Sequence, residues 1–121
     1  MVVDTNVFVD AFRSHTPAAA FFQRVEGSQI LFSAVSEAEL VAGKSCEDRT
    51  VKANTLRFLS QFRKIPLDNR IAVLAGDLRR MYGMELPDAF IAATAVTQHA
   101  VLVTKNARHF AVVAGLGIQE P

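Results

Sequence analysis

The spacing of the apolar residues changes repeatedly along this chain, and that change limits the folds it can adopt. Short apolar runs at residues 1–4, 29–32 and 101–103 predict buried strands, whereas residues 48–63 and 68–83 carry one apolar face at helical spacing. Strands that alternate with helices are typical of α/β layer folds. We therefore expect an α/β fold with a short, mostly parallel central sheet and helices on both faces.

Other segments complete this pattern. Two more short strands are expected around Ile65 and Leu67 and over residues 115–119. Ser36 is expected to open a helix that stops at Gly43, and Pro87 to begin a helix rich in alanine. Alanine side chains would let that last helix lie close against the sheet.

Length and composition restrict the function classes. A chain of 121 residues predicts a single domain over residues 1–121. Half of the residues are hydrophobic, which is enough for a buried core and excludes a disordered tail. The net charge of +1 neither requires nor excludes nucleic acid. The single cysteine, Cys46, allows no disulfide within the chain, and no apolar stretch approaches the roughly 20 residues that span a bilayer, so we expect a cytoplasmic protein.

Acidic and polar residues stand where the predicted strands end and the predicted helices begin. Asp4 follows the first strand, and Thr104 and Asn106 follow the strand at 101–103. Glu39 and Asp88 fall in the expected first turns of two helices. Ligands of open α/β sheets bind outside the carboxyl ends of the strands. We expect three carboxylates and an amide to meet at this edge.

Clustered carboxylates repel one another, and a hard divalent cation removes that conflict. Oxygen ligands suit Mg²⁺ and Mn²⁺, and a metal held in this way can promote phosphodiester chemistry. The three histidines are not at zinc-ligand spacing. Glu37 is a rival of Glu39 for the metal, and Asp10 is a candidate for a secondary role.

Each of these residues also has a purely structural interpretation. Ser36 and Glu39 match the capping box, in which Glu39 only bonds back to the helix start. Asp88 could simply favour the dipole of its helix, and Asn106 could be an ordinary N-cap. Asp4 is harder to explain structurally, because an acid directly after an apolar strand needs a partner. The residues alone leave both interpretations open.

Four segments, in this order, resemble the motifs of PIN domains, especially those of VapC-type toxins. They are residues 3–7 (Val-Asp-Thr-Asn-Val), residues 36–40 (Ser-x-x-Glu-Leu), residues 88–95 (Asp-Ala-Phe-Ile-Ala-Ala-Thr-Ala) and residues 101–110 (Val-Leu-Val-Thr-x-Asn-x-x-His-Phe). The resemblance covers essentially the whole chain. It implies a PIN-like three-layer fold and a magnesium- or manganese-dependent endoribonuclease that acts on structured RNA such as tRNA or rRNA.

Carried over to this chain, the resemblance makes Asp4, Glu39 and Asp88 the metal-binding acids. Asn106 joins them as a catalytic residue, although many relatives have a fourth acid there. That departure implies a site of lower charge and argues against a tightly held second metal. The groups expected to orient the carboxylates are Thr5, Asn6 and Thr104.

The resemblance also implies partners. RNA binding would need cations near the site, for which the candidates are Arg13, Lys44, Arg79, Arg80 and Lys105. Lys105 is the best placed of these, because it lies between Thr104 and Asn106. The resemblance further implies a homodimer and a small antitoxin protein that covers the site.

Two rival functions remain. Phosphatases of the haloacid-dehalogenase type and response-regulator receivers also bind Mg²⁺ beside an Asp that follows a strand. The phosphatases need a second Asp two residues later, where this chain has Asn6, and Asp4 comes too early for a receiver. The other rival is a PIN fold that binds RNA or protein without cutting. Three retained acids disfavour an RNA binder of that kind, and Asn106 keeps the alternative open.

Overall fold

The computed structural model describes all 121 residues, as five strands and seven helices. The strands are β1 (Val2–Val3), β2 (Leu31–Ser33), β3 (Arg63–Ile65), β4 (Leu102–Val103) and β5 (Ile118–Gln119). The helices are α1 (Thr5–Phe12), α2 (Thr16–Arg24), α3 (Ala34–Ala42), α4 (Arg49–Leu59), α5 (Asn69–Tyr82), α6 (Leu86–Thr97) and α7 (Ala107–Phe110). None of the helices is long and apolar enough to cross a membrane.

All strand pairs in the sheet are parallel, and the strand order is β3-β2-β1-β4-β5. The chain builds outwards from β1 through β2 to β3 and then returns to place β4 on the other side of β1. Connections therefore leave β1 and β4 in opposite directions, which opens a crevice at their carboxyl ends. Asp4 and Thr104, the residues that directly follow these two strands, lie at this crevice.

Apolar side chains cover both faces of the sheet, as the sequence predicted. On one face α5 and α6 pack against the sheet through residues such as Ile71, Leu78 and Ile91. On the other face α1, α2 and α4 pack around Phe8 and Phe21. Because β1 and β4 are buried between these layers, their positions are fixed by packing from both sides.

The helix ends follow local chemistry, with one difference from the prediction. The Asp48 and Asp68 side chains cap α4 and α5, and Gly83 ends α5 at a φ of 69° that favours glycine. Helix α3, however, begins at Ala34, because Ser33 is its N-cap and accepts a hydrogen bond from the Val35 amide. The prediction that Ser36 opens this helix was therefore wrong.

Glu39 consequently lies in the second turn of α3 rather than the first. The capping-box interpretation requires a serine at the N-cap and the glutamate three positions later. Ser36 is inside the helix and completely buried, so it cannot play that part. The structure thereby removes the capping-box interpretation of Glu39 that the sequence had left open.

Candidate functional site

Asp4 is the buried acid at the centre of the site. It is the N-cap of α1 and is only 4% exposed. Its Oδ1 accepts a hydrogen bond of 2.8 Å from the Thr5 amide, and its Oδ2 accepts one of 2.8 Å from the Thr104 hydroxyl. Burial raises the pKa of Asp4, these two hydrogen bonds oppose the rise, and the charges of Asp88 and Glu39 add to it.

Thr5 joins this acid to the next one. Its Oγ1 lies 2.7 Å from Glu39 Oε1 and 2.8 Å from Ser36 Oγ. A hydroxyl has one proton and an ionised carboxylate can only accept, so Thr5 donates to Glu39 and Ser36 donates to Thr5. The backbone of Thr5 therefore holds Asp4 while its side chain holds Glu39.

Asp88 is the third acid and has no such support. It is in the first turn of α6, is partly buried, and makes no side-chain hydrogen bond or ion pair. Burial raises the pKa of Asp88, the charge of Glu85 adds to that rise, and His109 opposes it. The position of Asp88 is therefore set by α6 alone.

The donor chemistry of these acids fits a hard divalent cation, although the side chains do not form a finished coordination cage. Asp88 and Glu39 lie close enough to Asp4 to raise its pKa, and none of the three forms an ion pair. No three acidic, histidine or cysteine side chains, however, come close enough together to hold a metal ion. A cation would relieve the repulsion only after some side-chain movement.

The structure places the remaining predicted site residues unequally. Thr104 is fully buried and, besides donating to Asp4, accepts a hydrogen bond of 3.0 Å from the Asn106 amide. The Asn106 side chain is exposed and does not cap α7. Asn6 is exposed and makes no hydrogen bond to any of the acids, so it does not orient them in this arrangement.

A cleft of about 900 Å³ adjoins this edge, between α1, α3 and α4. Thr5, Asn6 and Glu39 are part of its lining, and so are two of the predicted cations, Arg13 and Lys44. Neither cation is in an ion pair. Both are therefore free to meet an anion that enters beside Glu39.

The other three predicted cations are already engaged. Arg79 donates to the Met84 carbonyl at 2.8 Å, which ties the end of α5 to the turn before α6. Arg80 pairs with Asp77 on its own helix at 3.0 Å. Lys105 pairs with Asp10 at 2.6 Å.

Sequence reasoning missed two features of the site. Ser36 was predicted to be a helix cap, whereas its hydroxyl is hydrogen-bonded to the Thr5 hydroxyl inside the site. Glu37 was a rival of Glu39, whereas its carboxylate pairs with Lys64 at 2.9 Å. The misreading of Ser36 follows from placing the N-cap of α3 one turn too late, and Ser33, directly after an apolar strand, was the available signal. No local signal pointed to the Glu37–Lys64 pair, whose members are 27 residues apart.

The sequence and the fold have relatives among known proteins. Residues 1–116 match the PIN domain family. The chain belongs to this family. Ribonuclease VapC10 of Mycobacterium tuberculosis is 34% identical over 117 residues, a match that covers 91% of this chain and 85% of that protein. The chain is thus a VapC-type PIN domain, as its four motifs predicted.

Solved structures agree with this assignment. A toxin–antitoxin complex from Klebsiella pneumoniae contains a chain that is 29% identical and superposes with a TM-score of 0.82, covering 95% of this chain and 93% of that one. A chain of the DNA-bound VapBC complex from Salmonella typhimurium superposes with a TM-score of 0.86 over 98% of this chain and 96% of its own. At 23% identity the second likeness supports the fold alone. The predicted PIN-like α/β fold is confirmed.

Proposed function

We propose that this PIN domain is an endoribonuclease that depends on Mg²⁺ or Mn²⁺, cuts structured RNA such as tRNA or rRNA, and acts as the toxin of a toxin–antitoxin pair. One observation carries the proposal. Asp4 is buried where β1 ends, close enough to Asp88 and Glu39 for both charges to raise its pKa, and none of the three acids forms an ion pair. A binding module for RNA would gain nothing from uncompensated carboxylates that face phosphates.

In this proposal the chain's own groups prepare an oxygen-rich site. Each oxygen of Asp4 accepts one hydrogen bond and keeps lone-pair capacity for a metal. Oε1 of Glu39 is held by Thr5, which leaves Oε2 free, and both oxygens of Asp88 are free. A divalent metal held by these acids would polarise the scissile phosphodiester and lower the pKa of a water nucleophile.

Positioning of RNA falls to the cations of the adjoining cleft. Arg13 and Lys44 share that cleft with Glu39, so phosphates on one side of the scissile bond can pair with them while the bond itself lies at the acids. The exposed Asn106 side chain, whose backbone amide bonds to Thr104 beside Asp4, would offer a neutral donor to the phosphate. Because Asn106 is neutral, the RNA approaches a site with less negative charge than one that has an acid at this position.

We further propose a small antitoxin partner and a homodimer. The antitoxin proposal is supported by the structural relatives, which are toxin–antitoxin complexes, and by apolar residues that the cleft exposes, Phe12 at 42% and Val51 at 37%. A second exposed apolar set lies on the α5–α6 hairpin and comprises Val73, Met81, Tyr82 and Leu86. In this proposal the antitoxin would cover the cleft and a second copy of the chain would cover the α5–α6 surface.

The test uses purified, antitoxin-free protein with total tRNA and rRNA, in Mg²⁺, in Mn²⁺ and in EDTA. Glu39→Gln and Glu37→Gln form a matched pair, because both remove one carboxylate from α3 two residues apart. We expect discrete fragments that need metal, that disappear in Glu39→Gln, and that persist in Glu37→Gln.

Other outcomes change the assignment. Fragments that persist in EDTA or in Glu39→Gln would reject the metal site proposed here. Equal loss in both variants would show that general surface charge, not a specific acid, matters. If well-folded protein cuts no RNA but retains RNA in a filter-binding assay, the non-cleaving PIN module becomes the better description.

A further inference from the structure

Asp10 is a largely covered acid that the proposed reaction does not use. It lies on the last half of α1, with its side chain 14% exposed, and its Oδ2 is 2.6 Å from Lys105 Nζ. Its Oδ1 is 3.5 Å from His15 Nδ1. The hydrogen bond from Lys105 lowers the pKa of Asp10, burial opposes this, and the charges of Lys105, His15 and Arg13 lower it further.

The partner of Asp10 stands in the middle of the loop that supports the active site. Lys105 is preceded by Thr104, whose hydroxyl donates to Asp4, and followed by Asn106, whose amide donates to Thr104. Residues 104–106 lie between β4 and α7. Their only side-chain contacts with α1 and its N-cap are the Thr104–Asp4 hydrogen bond and the Lys105–Asp10 ion pair. The ion pair is therefore the second attachment of this loop to the element that begins at Asp4.

We propose that Asp10 is a positioning residue, which acts through its ion pair with Lys105 to hold the 104–106 loop so that Thr104 and Asn106 keep their places beside Asp4. Asp4 caps the start of α1 and Asp10 lies in its last turn, so the loop is attached at two separate points of one helix. Two attachments fix the orientation of the 104–106 loop as well as its distance from α1. In this role the Lys105 ammonium is engaged by Asp10, and the expectation that it contacts RNA becomes the rival that the test addresses.

The two roles of Lys105 predict opposite effects of Asp10→Asn. If Lys105 were an RNA contact restrained by Asp10, removing the acid would free a cation and tighten RNA binding. If the pair positions the loop, removing either partner slows the chemical step and leaves RNA binding nearly unchanged, since small misplacements affect reaction more than binding. The kinetic arm of the test rests on the proposed nuclease function.

The experiment compares the wild type with Asp10→Asn, Lys105→Met and the double variant, using end-labelled RNA that carries a site cut by the wild type. The matched control removes another ion pair between elements, with Glu37→Gln and Lys64→Met. We expect single-turnover cleavage to fall roughly tenfold in each Asp10 or Lys105 variant, within the range that a displacement of about 1 Å can cause. The RNA concentration at half-saturation should change less than about twofold. The double variant should cleave no more slowly than the slower of the two single variants, because both changes break the same ion pair.

A second measurement needs neither RNA nor metal. Hydrogen exchange of the Asn106 amide, read by NMR in Asp10→Asn, should accelerate several-fold because its bond to Thr104 opens more often, while the control variants leave it unchanged. If the wild type cuts no RNA, the proposed function fails, and this measurement alone decides the positioning role. Unchanged exchange in Asp10→Asn, or RNA binding that tightens in Asp10→Asn and weakens in Lys105→Met, overturns the proposal.

Discussion

Replacing Thr104 by valine removes one hydroxyl from the buried side of the site and nearly nothing else. Thr104 is 0% exposed, and valine has the same shape, so the change creates no cavity. The lost bond to Asp4 Oδ2 is a hydrogen bond to a charged group, which contributes about 1.5–3 kcal/mol. The Asn106 amide also loses its acceptor, but that residue is exposed and water can replace the hydroxyl.

The added methyl group offsets part of this loss, by about 0.8 kcal/mol. The expected net loss in the free energy of unfolding is about 1–2 kcal/mol when Asp4 is ionised. When Asp4 is protonated its bond to Thr104 is an ordinary neutral one of about 1 kcal/mol, and the methyl group nearly cancels it. The destabilisation should therefore be small at acidic pH and should grow as pH rises through the raised pKa of Asp4.

Urea unfolding of metal-free protein, at several pH values in EDTA, measures this difference. Thr94→Val is the matched control: Thr94 is also 0% exposed, but its hydroxyl donates to the Phe90 carbonyl inside α6. That carbonyl keeps its helical hydrogen bond, so we expect a change within about 0.5 kcal/mol at every pH. Equal losses in the two variants, or a loss at Thr104 that does not depend on pH, would refute the reasoning.

Three further predictions concern the same protein without RNA. The free energy of unfolding in EDTA should fall as pH rises from the ordinary carboxyl pKa of 3.8 through the raised pKa values of Asp4 and Asp88. In that range the folded state binds more protons than the unfolded state. Urea unfolding at a series of acidic to neutral pH values measures the decrease. Mn²⁺ at about 100 times its dissociation constant should stabilise the wild type by about 2.7 kcal/mol, which is roughly 10 °C in a thermal melt. The Asp88→Asn variant should lose most of this stabilisation. An equal stabilisation of the variant would contradict the metal site. Gly83→Ala should cost about 1 kcal/mol in urea unfolding because of the positive φ, whereas Gly76→Ala, inside α5 with free space around it, should stabilise.

The sequence predicted the elements and most of the acids because both depend on local signals. The spacing of apolar residues predicted five strands and the long helices, although β3 ends at Ile65 and does not include Leu67 as expected. Asp4 directly follows β1 and Asp88 lies in the first turn of α6, as predicted. The start of α3 was misplaced because Ser33 and Ser36 are both good caps, and local chemistry does not choose between them. The choice follows from β2, whose pairing with β3 extends to Ser33 and leaves that residue at the strand end.

Contacts between distant parts of the chain were not predictable in this way. Lys105 looked like an RNA contact because its sequence neighbours belong to the site, whereas the acid that neutralises it lies on α1. A second case is closer in the chain: Arg79 was a candidate RNA contact, and its guanidinium donates to the Met84 carbonyl only five residues away. In both cases the side chain is long enough to reach any of several partners, and only the packed structure determines which one it meets.

The three acids differ in how firmly they are held, and that difference suggests how a cation would complete the site. Asp4 is held by two donors and Glu39 by one, so both keep their positions unless Thr5 or Thr104 moves. Asp88 has no donor, so its side chain is free to turn towards a bound cation, which would offset the cost of burying its charge. We therefore expect Asp88 to change rotamer between metal-free and Mn²⁺-bound crystals while the hydrogen bonds of Asp4 and Glu39 persist. If instead the Thr5–Glu39 bond breaks and Asp88 stays in place, α3 rather than α6 supplies the movement that the site requires.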